Sequence, residues 1–254
     1  MSELTLKAPN YGNWVGSKFI YIPGIMGLAF LGLAFFFPAL VVLAGLFLLL
    51  AAYFIYARYL FAPQGENVQG QIRGLLLEHL NWDGAGQALD IGCGNAPLTI
   101  ELAKKYPRAA FIGIDCWSKG WDYSQSACER NARAEGVDQR VTFHQASASN
   151  LPFPDESFDL VVSNLVFHMV ADTADKRTVL REALRVVKKD GVFAFQDLFL
   201  VEQMYGQMDD LLETMRTWGI SQVEFIETRK ASFIPAALKL PFMAGTIGML
   251  VGKK

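Results

Sequence analysis

Two hydrophobicity patterns divide the chain. From Phe19 to Ala57, thirty-nine consecutive residues carry no charge, and none is His, Ser, Thr, Asn or Gln. As one straight helix this run would measure roughly 58 Å, against a bilayer core of about 30 Å. Two shorter helices fit better, over 24–37 and 39–56, with a tight turn at Pro38, where the ring removes a backbone donor. A single tilted span behind an interfacial helix, and a buried soluble hairpin, stay open as alternatives. Past Pro63 short apolar runs alternate with amphipathic segments. Helices are predicted over 68–80, 98–106, 124–135, 176–187 and 208–218, the last ended by Gly219. Strands are predicted over 87–91, 110–114, 141–144, 159–163, 191–196, 222–228 and 246–251. Strand–helix alternation of this kind predicts an α/β fold with a doubly wound, mostly parallel, seven-stranded sheet. The expected organisation is a membrane-anchoring helical hairpin at 1–62 and a second domain at 63–254.

Composition narrows the partners. The 254 residues carry a formal net charge of −2 and no Lys/Arg-rich block, so nucleic acid is not expected as a partner. Lys7 and Lys18 precede the apolar run while Arg58 and Arg73 follow it. A hairpin puts both flanks on one side, which predicts a membrane location with the second domain on the cytoplasmic face. Tyr11, Trp14, Tyr53, Tyr56 and Tyr59 are candidates for the headgroup level. The run is too long for a cleaved leader and is followed by no small-residue cleavage pattern. Three cysteines without a CxxC motif suit a reducing compartment. His79, His144 and His168 are too scattered for a local metal motif, and no metal is expected.

The strongest chemical signal is ALDIGCGNAPL, residues 88–98. A predicted strand turns through Gly92 and Gly94 into a helix, at the sheet edge where open α/β folds bind ligands. A dinucleotide site would place a third glycine where Pro97 stands, and would be ill served by an acid, Asp90, just ahead of the loop. A carboxylate there suits a ligand bearing an ammonium and a sulfonium instead.

LDIGCGNA, then FIGID, LPFPDESFDLVVSN and LREALRVVKKDGVFAF, in that order, resemble the class I S-adenosylmethionine-dependent methyltransferases, closest to the small-molecule and quinone-methylating group. The resemblance covers about 70 to the C-terminus and implies a Rossmann-like fold, S-adenosyl-L-methionine as cofactor and methyl transfer as activity. It implies that Asp90, Gly92, Cys93 and Gly94 shape the methionine pocket. Asp115, with Cys116 beside it, would accept the ribose hydroxyls. Ser147 and Ala148 would stand at the adenine, Ser147 in place of the family's usual acid, and Asn164 and Leu165 near the methyl. Ala96 replaces a common third glycine. Residues 116–125 form a longer link than usual, whose Trp117, Trp121 and Tyr123 are candidates to cover the adenine.

His168, just past the fourth strand, is the candidate catalytic base, needed if the acceptor begins as a protonated oxygen or acidic carbon. An anchor at the bilayer suggests an apolar acceptor such as a quinone, isoprenoid or lipid headgroup. The segment 233–245, apolar with Lys239 inside it, is a candidate to rest on the interface. The alternative is a catalytically silent, membrane-bound adaptor built on the same fold.

Overall fold

The computed structural model describes residues 8–117 and 123–254, which form two compact units. The larger comprises Arg73–Ile234 and Lys239–Lys254, joined by the N-terminal residues through Gly12. Asn13–Ile72 and Pro235–Leu238 make the smaller one.

The smaller unit holds two apolar helices, α1 (Lys18–Leu33) and α2 (Leu40–Phe61). They run antiparallel: Phe19 lies against Phe54 and Phe30 stacks on Phe47, with ring centroids 5.4 and 5.5 Å apart. Small residues bring the backbones close. A Cβ built on Gly27 would lie 2.8 Å from the Leu48 side chain, and one on Gly24 would meet the Ala51 Cβ at 4.0 Å. Both helices begin and end a few residues away from the expected positions. The chain reverses over 34–39, Pro38 standing between the helices, while Pro23 is accommodated within α1. Helix α2 is long and apolar enough to cross a membrane, whereas α1 has 16 residues. Outward-facing Ile25, Leu28, Phe35, Leu46 and Leu49 are all exposed. At the base of the unit the Arg58 guanidinium donates to the Val15 carbonyl, and Asn13 donates to the Arg58 carbonyl at 3.0 Å. The Tyr53 hydroxyl donates to the Ala237 carbonyl, also at 3.0 Å.

After α3 (Val68–Glu78) the larger unit alternates β1 (Ala85–Ile91), α4 (Pro97–Lys105), β2 (Arg108–Asp115), α5 (Gln125–Ala134), β3 (Val141–Gln145), β4 (Phe158–Asn164), α6 (Lys176–Arg185) and β5 (Val187–Asp197). Two helices, α7 (Glu202–Tyr205) and α8 (Met208–Thr217), precede β6 (Gln222–Ile226) and β7 (Gly248–Lys253). The sheet order is β3-β2-β1-β4-β5-β7-β6, so all seven expected strands form. The first five run parallel, and β7 is antiparallel to both β5 and β6. Leu89, Ile91, Val161, Phe193 and Phe195 face one core with α6 to α8. Ala88, Leu160, Val162 and Ala194 face the other, with α4 and α5. This near-continuous burial explains why the parallel strands read as apolar runs. Strand order reverses beside β1, which is flanked by β2 and β4, and that reversal opens a crevice at the carboxyl edge.

Candidate functional site

The loop after β1 packs tightly against its own neighbours, Val166 and Tyr123. Gly92 has φ +73° and a Cβ there would lie 2.1 Å from Val166 Cγ2, so the turn excludes any side chain. Gly94 is also left-handed, at φ +59°, as is the non-glycine Ala96 at +65°. The Gly92 and Cys93 amides both donate to the Ile114 carbonyl, at 2.7 and 2.9 Å, tying the loop to β2.

Asp115 ends β2 and completes the connection. Its Oδ2 accepts from the Gly94 amide at 2.9 Å and its Oδ1 from the Trp117 amide at 2.8 Å. The Trp117 indole returns a hydrogen bond to the Gly94 carbonyl at 3.0 Å. A carboxylate fixed at both oxygens keeps lone pairs for two further donors in a set orientation. Asp90 is almost fully buried and accepts from the Thr99 hydroxyl at 2.5 Å. Burial raises its pKa to about 7; the Thr99 hydrogen bond opposes this and the Asp115 charge adds to it. The two acids expected to act together thus sit within electrostatic reach. Among the described residues, none of the leading influences on Asp90 is a cationic side chain.

The other expected cofactor residues divide by role. Cys93 is buried beneath the loop, and burial, then its neighbour Cys128, push its thiol well up. It packs against β2 and offers the ligand face only backbone. Cys116 is exposed and its carbonyl accepts from Gln145 at 2.9 Å. Ala148 is buried in the core. Ser147 has an unforeseen neighbour: Asp172 accepts from the Ser147 hydroxyl at 3.3 Å and from Ser149 at 2.5 Å. A carboxylate therefore stands beside the position where the sequence lacks one. Tyr123 lies by the loop, 3.7 Å from where a Gly94 Cβ would be, while Trp121 falls outside the described residues.

Beyond β4, Leu165 adopts φ +60°, a costly conformation for a branched side chain that marks functional turns more often than ordinary ones. Its amide donates to the Gln196 carbonyl at 2.7 Å. The turn sets Val166 against Gly92 and leads into a short helical turn, Phe167–Met169. There His168 Nδ1 meets Asp197 Oδ1 at 2.7 Å. Asp197 is fully buried and also accepts from the amides of Phe167 at 2.7 Å, His168 at 3.4 Å and Leu198 at 2.6 Å. Tyr205, wholly buried, holds its hydroxyl outside hydrogen-bond geometry; burial, then the Asp197 charge, push its phenol far up. Asn164 Oδ1 and Gln196 Oε1, on register neighbours at the ends of β4 and β5, are likewise buried without a partner among the described residues. Asp197 was not among the expected residues, although it ends β5 as Asp115 ends β2.

One further strap had no sequence signal. The Asn10 amide donates to Asn131 Oδ1 at 3.0 Å, and Asn131 Nδ2 returns bonds to the Asn10 and Asn95 carbonyls at 3.0 and 2.9 Å. The Tyr11 hydroxyl donates to Glu135 at 3.1 Å. Residues ahead of α1 thus clamp the glycine loop to α5.

A seven-stranded sheet of this order, with a glycine turn and two strand-end acids at its switch point, has the architecture of the S-adenosylmethionine-dependent methyltransferases. Residues 83–232, more than half of the chain, match the profile of the family described as a methyltransferase domain, and the chain belongs to that family. Among curated relatives, the demethylmenaquinone methyltransferase of Lactobacillus johnsonii is 37% identical over 105 residues, 41% of this chain and 40% of its own. The 27-O-demethylrifamycin SV methyltransferase of Amycolatopsis mediterranei is 37% identical over 121 residues, 46% and 40% of the two chains. The chain spans less than half the length of these relatives. Among solved structures, geranyl diphosphate C-methyltransferase of Streptomyces coelicolor, in complex with S-adenosyl-L-homocysteine, superposes with a TM-score of 0.56 at 13% identity, covering 74% of this chain and 79% of that one. The [4+2]-cyclase SpnF superposes at 0.53 and 20% identity, over 72% and 78%. Such identities show the fold alone, and one fold hosts several chemistries.

Residues at the crevice fit S-adenosylmethionine. Asp90 is a buried acid whose leading influences among the described residues include no cation, and Asp115 is a doubly anchored acceptor that keeps lone pairs for two more donors.

Proposed function

We propose that this protein is a membrane-held methyltransferase acting on an apolar small molecule or lipid, with its catalytic unit on the cytoplasmic side. The observation that carries the reading is the Asp115 carboxylate, pinned by the Gly94 and Trp117 amides at the crevice where β1 and β2 end. S-adenosylmethionine, when bound, supplies a methyl group on a positively charged sulfur. Asp115 would hold its ribose hydroxyls, the turn at Gly92–Gly94 its methionine end, and Asp90 would balance its ammonium. Asn164 and the Leu165 turn would line the methyl-transfer face. Alignment of this kind contributes on the order of 7–11 kcal/mol to a displacement.

Support for the membrane comes from α1 and α2, whose outward surface is almost entirely aliphatic and aromatic. A soluble protein rarely leaves so large an apolar patch exposed. Leu240 and Phe242, in the 233–245 segment, are exposed as well, whereas Ile234, Leu238 and Ala244 are buried. The relatives named as demethylmenaquinone and demethylrifamycin methyltransferases support a small-molecule acceptor.

The test uses membranes containing the full chain, methyl-labelled S-adenosylmethionine and a lipid extract. Label should enter the organic phase in a product heavier by one methylene, and Asp115→Ala should abolish it. Failure of S-adenosylhomocysteine to bind would overturn the reading and favour a silent adaptor.

A further inference from the structure

Resting on the methyltransferase reading, we infer that His168 and Asp197 form a base–orienter pair, and that the acceptor carries a weakly acidic hydroxyl, of the phenol or hydroquinone class. Asp197 is an acceptor for four N–H groups, three of them backbone amides from two different connections. Such a carboxylate cannot swing away. Contact with the Asp197 carboxylate makes Nδ1 the donating nitrogen, and in the neutral ring that leaves Nε2 as the acceptor. His168 keeps 18% of its side chain exposed, while Asp197 has none. The pair is thus a fully buried carboxyl group behind an imidazole that keeps an exposed side, which is the arrangement of a general base rather than of a surface ion pair.

Its place fits that task. Val166, two residues before His168, closes over Gly92, so the imidazole belongs to the same edge as the cofactor turn. The left-handed Leu165 redirects the chain so that Phe167 and His168 both point their amides at Asp197. An amine acceptor would shed its proton to water and need no such device. A neutral hydroxyl does need it. The hydroxyl proton moves to Nε2 of His168, the oxygen electron pair or the ring carbon conjugated with it forms the new bond to the methyl carbon, and the carbon–sulfur bond breaks with its electrons leaving on sulfur. With oxygen as the acceptor, the proton on the imidazole passes to water; with carbon as the acceptor, the displaced ring proton passes to water and the imidazole returns its proton to the oxygen, restoring the hydroxyl. His168 is the catalytic residue in this step and Asp197 a positioning residue.

His168→Asn separates the base from the fold, because the Asn amide retains a donor near the Nδ1 position yet has no counterpart of Nε2. The full chain in detergent would be offered long-chain alkylphenols, and nitro-substituted alkylphenols already ionised at the assay pH. Turnover of ordinary alkylphenols should fall about 10²–10⁴-fold in His168→Asn, the span of general-base catalysis. Turnover of the ionised acceptors should fall less than tenfold, and affinity for S-adenosylhomocysteine should not change. Added imidazole should partly restore His168→Ala. A second readout needs no turnover: with S-adenosylhomocysteine bound and below its ionisation range, a nitro-alkylphenol should show the phenolate absorbance in the parent and not in His168→Asn. Equal losses on both acceptor types would assign the pair a structural role and overturn the inference. So would a parent that binds S-adenosylhomocysteine and methylates only amines or thiols, leaving the methyltransferase reading intact. Loss of S-adenosylhomocysteine binding in the parent would instead defeat the reading beneath it.

Discussion

Asp90 and Asp115 look alike in the sequence, each an acid closing a strand ahead of a turn, and the fold gives them different physics. Asp115 meets two amides and remains an oriented acceptor. Replacing it with Ala strips partners from Gly94 and Trp117, and hydrogen bonds to charged groups are worth about 1.5–3 kcal/mol each. S-adenosylhomocysteine affinity should drop by about 10²-fold, measured by titration calorimetry. Asp90 lies in the core and is held protonated up to about pH 7 by burial. A carboxyl with a folded pKa above its unfolded one stabilises fully below the unfolded value, near 4, and loses that contribution as pH rises through 7. The expected loss is at most about 4 kcal/mol. Thermal midpoints in detergent should therefore fall between pH 5 and pH 7.5 in the parent and stay level in Asp90→Asn. A cationic ligand reverses the balance, so binding near pH 6.5 should release protons. Calorimetry in buffers of different ionisation enthalpy would detect that release.

At the scale of elements, the glycine turn and the helix pair both depend on absent side chains. Gly92→Ala would force a methyl against Val166 in a backbone conformation that disfavours alanine. It should lower the thermal midpoint and remove S-adenosylhomocysteine binding together. In the helix pair, the Cβ spacing of 4.0 Å between positions 24 and 51 matches disulfide geometry. Gly24→Cys with Ala51→Cys, in a background with Cys93, Cys116 and Cys128 replaced, should cross-link on mild oxidation within one chain. Failure to cross-link in membranes would reject the antiparallel pairing. The pairing explains where the expected hairpin differed from the observed one. Reversal takes a short stretch of turn rather than a single proline, and the capping contacts at Asn13 and Arg58 extend α2 past its expected end.

For the molecule as a whole, the exposed apolar surface of α1 and α2 calls for a cover. If lipid does, then Leu46→Lys with Leu49→Lys, both on the exposed face of α2, should move the protein from the carbonate-resistant membrane fraction to the supernatant. Charges at a helix centre cost roughly 2.5–3.5 kcal/mol each on insertion scales. An unchanged membrane fraction would mean that α2 does not cross the bilayer. These substitutions leave the Asn10–Asn131 clamp intact, which deletion of the leading residues would destroy along with the anchor.

Local pattern by itself determined most of the fold. Seven strands, their order along the chain, the glycine turn and its two acids were legible because each depends on side-chain periodicity or on a turn's backbone demands, and both are written within a few neighbouring residues. Contacts between distant residues were decided only by the tertiary structure. Nothing near His168 announces Asp197, 29 positions on; they meet because β4 and β5 pair in parallel and end together. Asp172, in the connection after β4, reaches Ser147 after β3 although β2 and β1 lie between those strands, and Asn10 finds Asn131 from 121 positions away. Such pairings carry no local signature, because their energy comes from burial and hydrogen bonds that exist once the sheet has closed and not before.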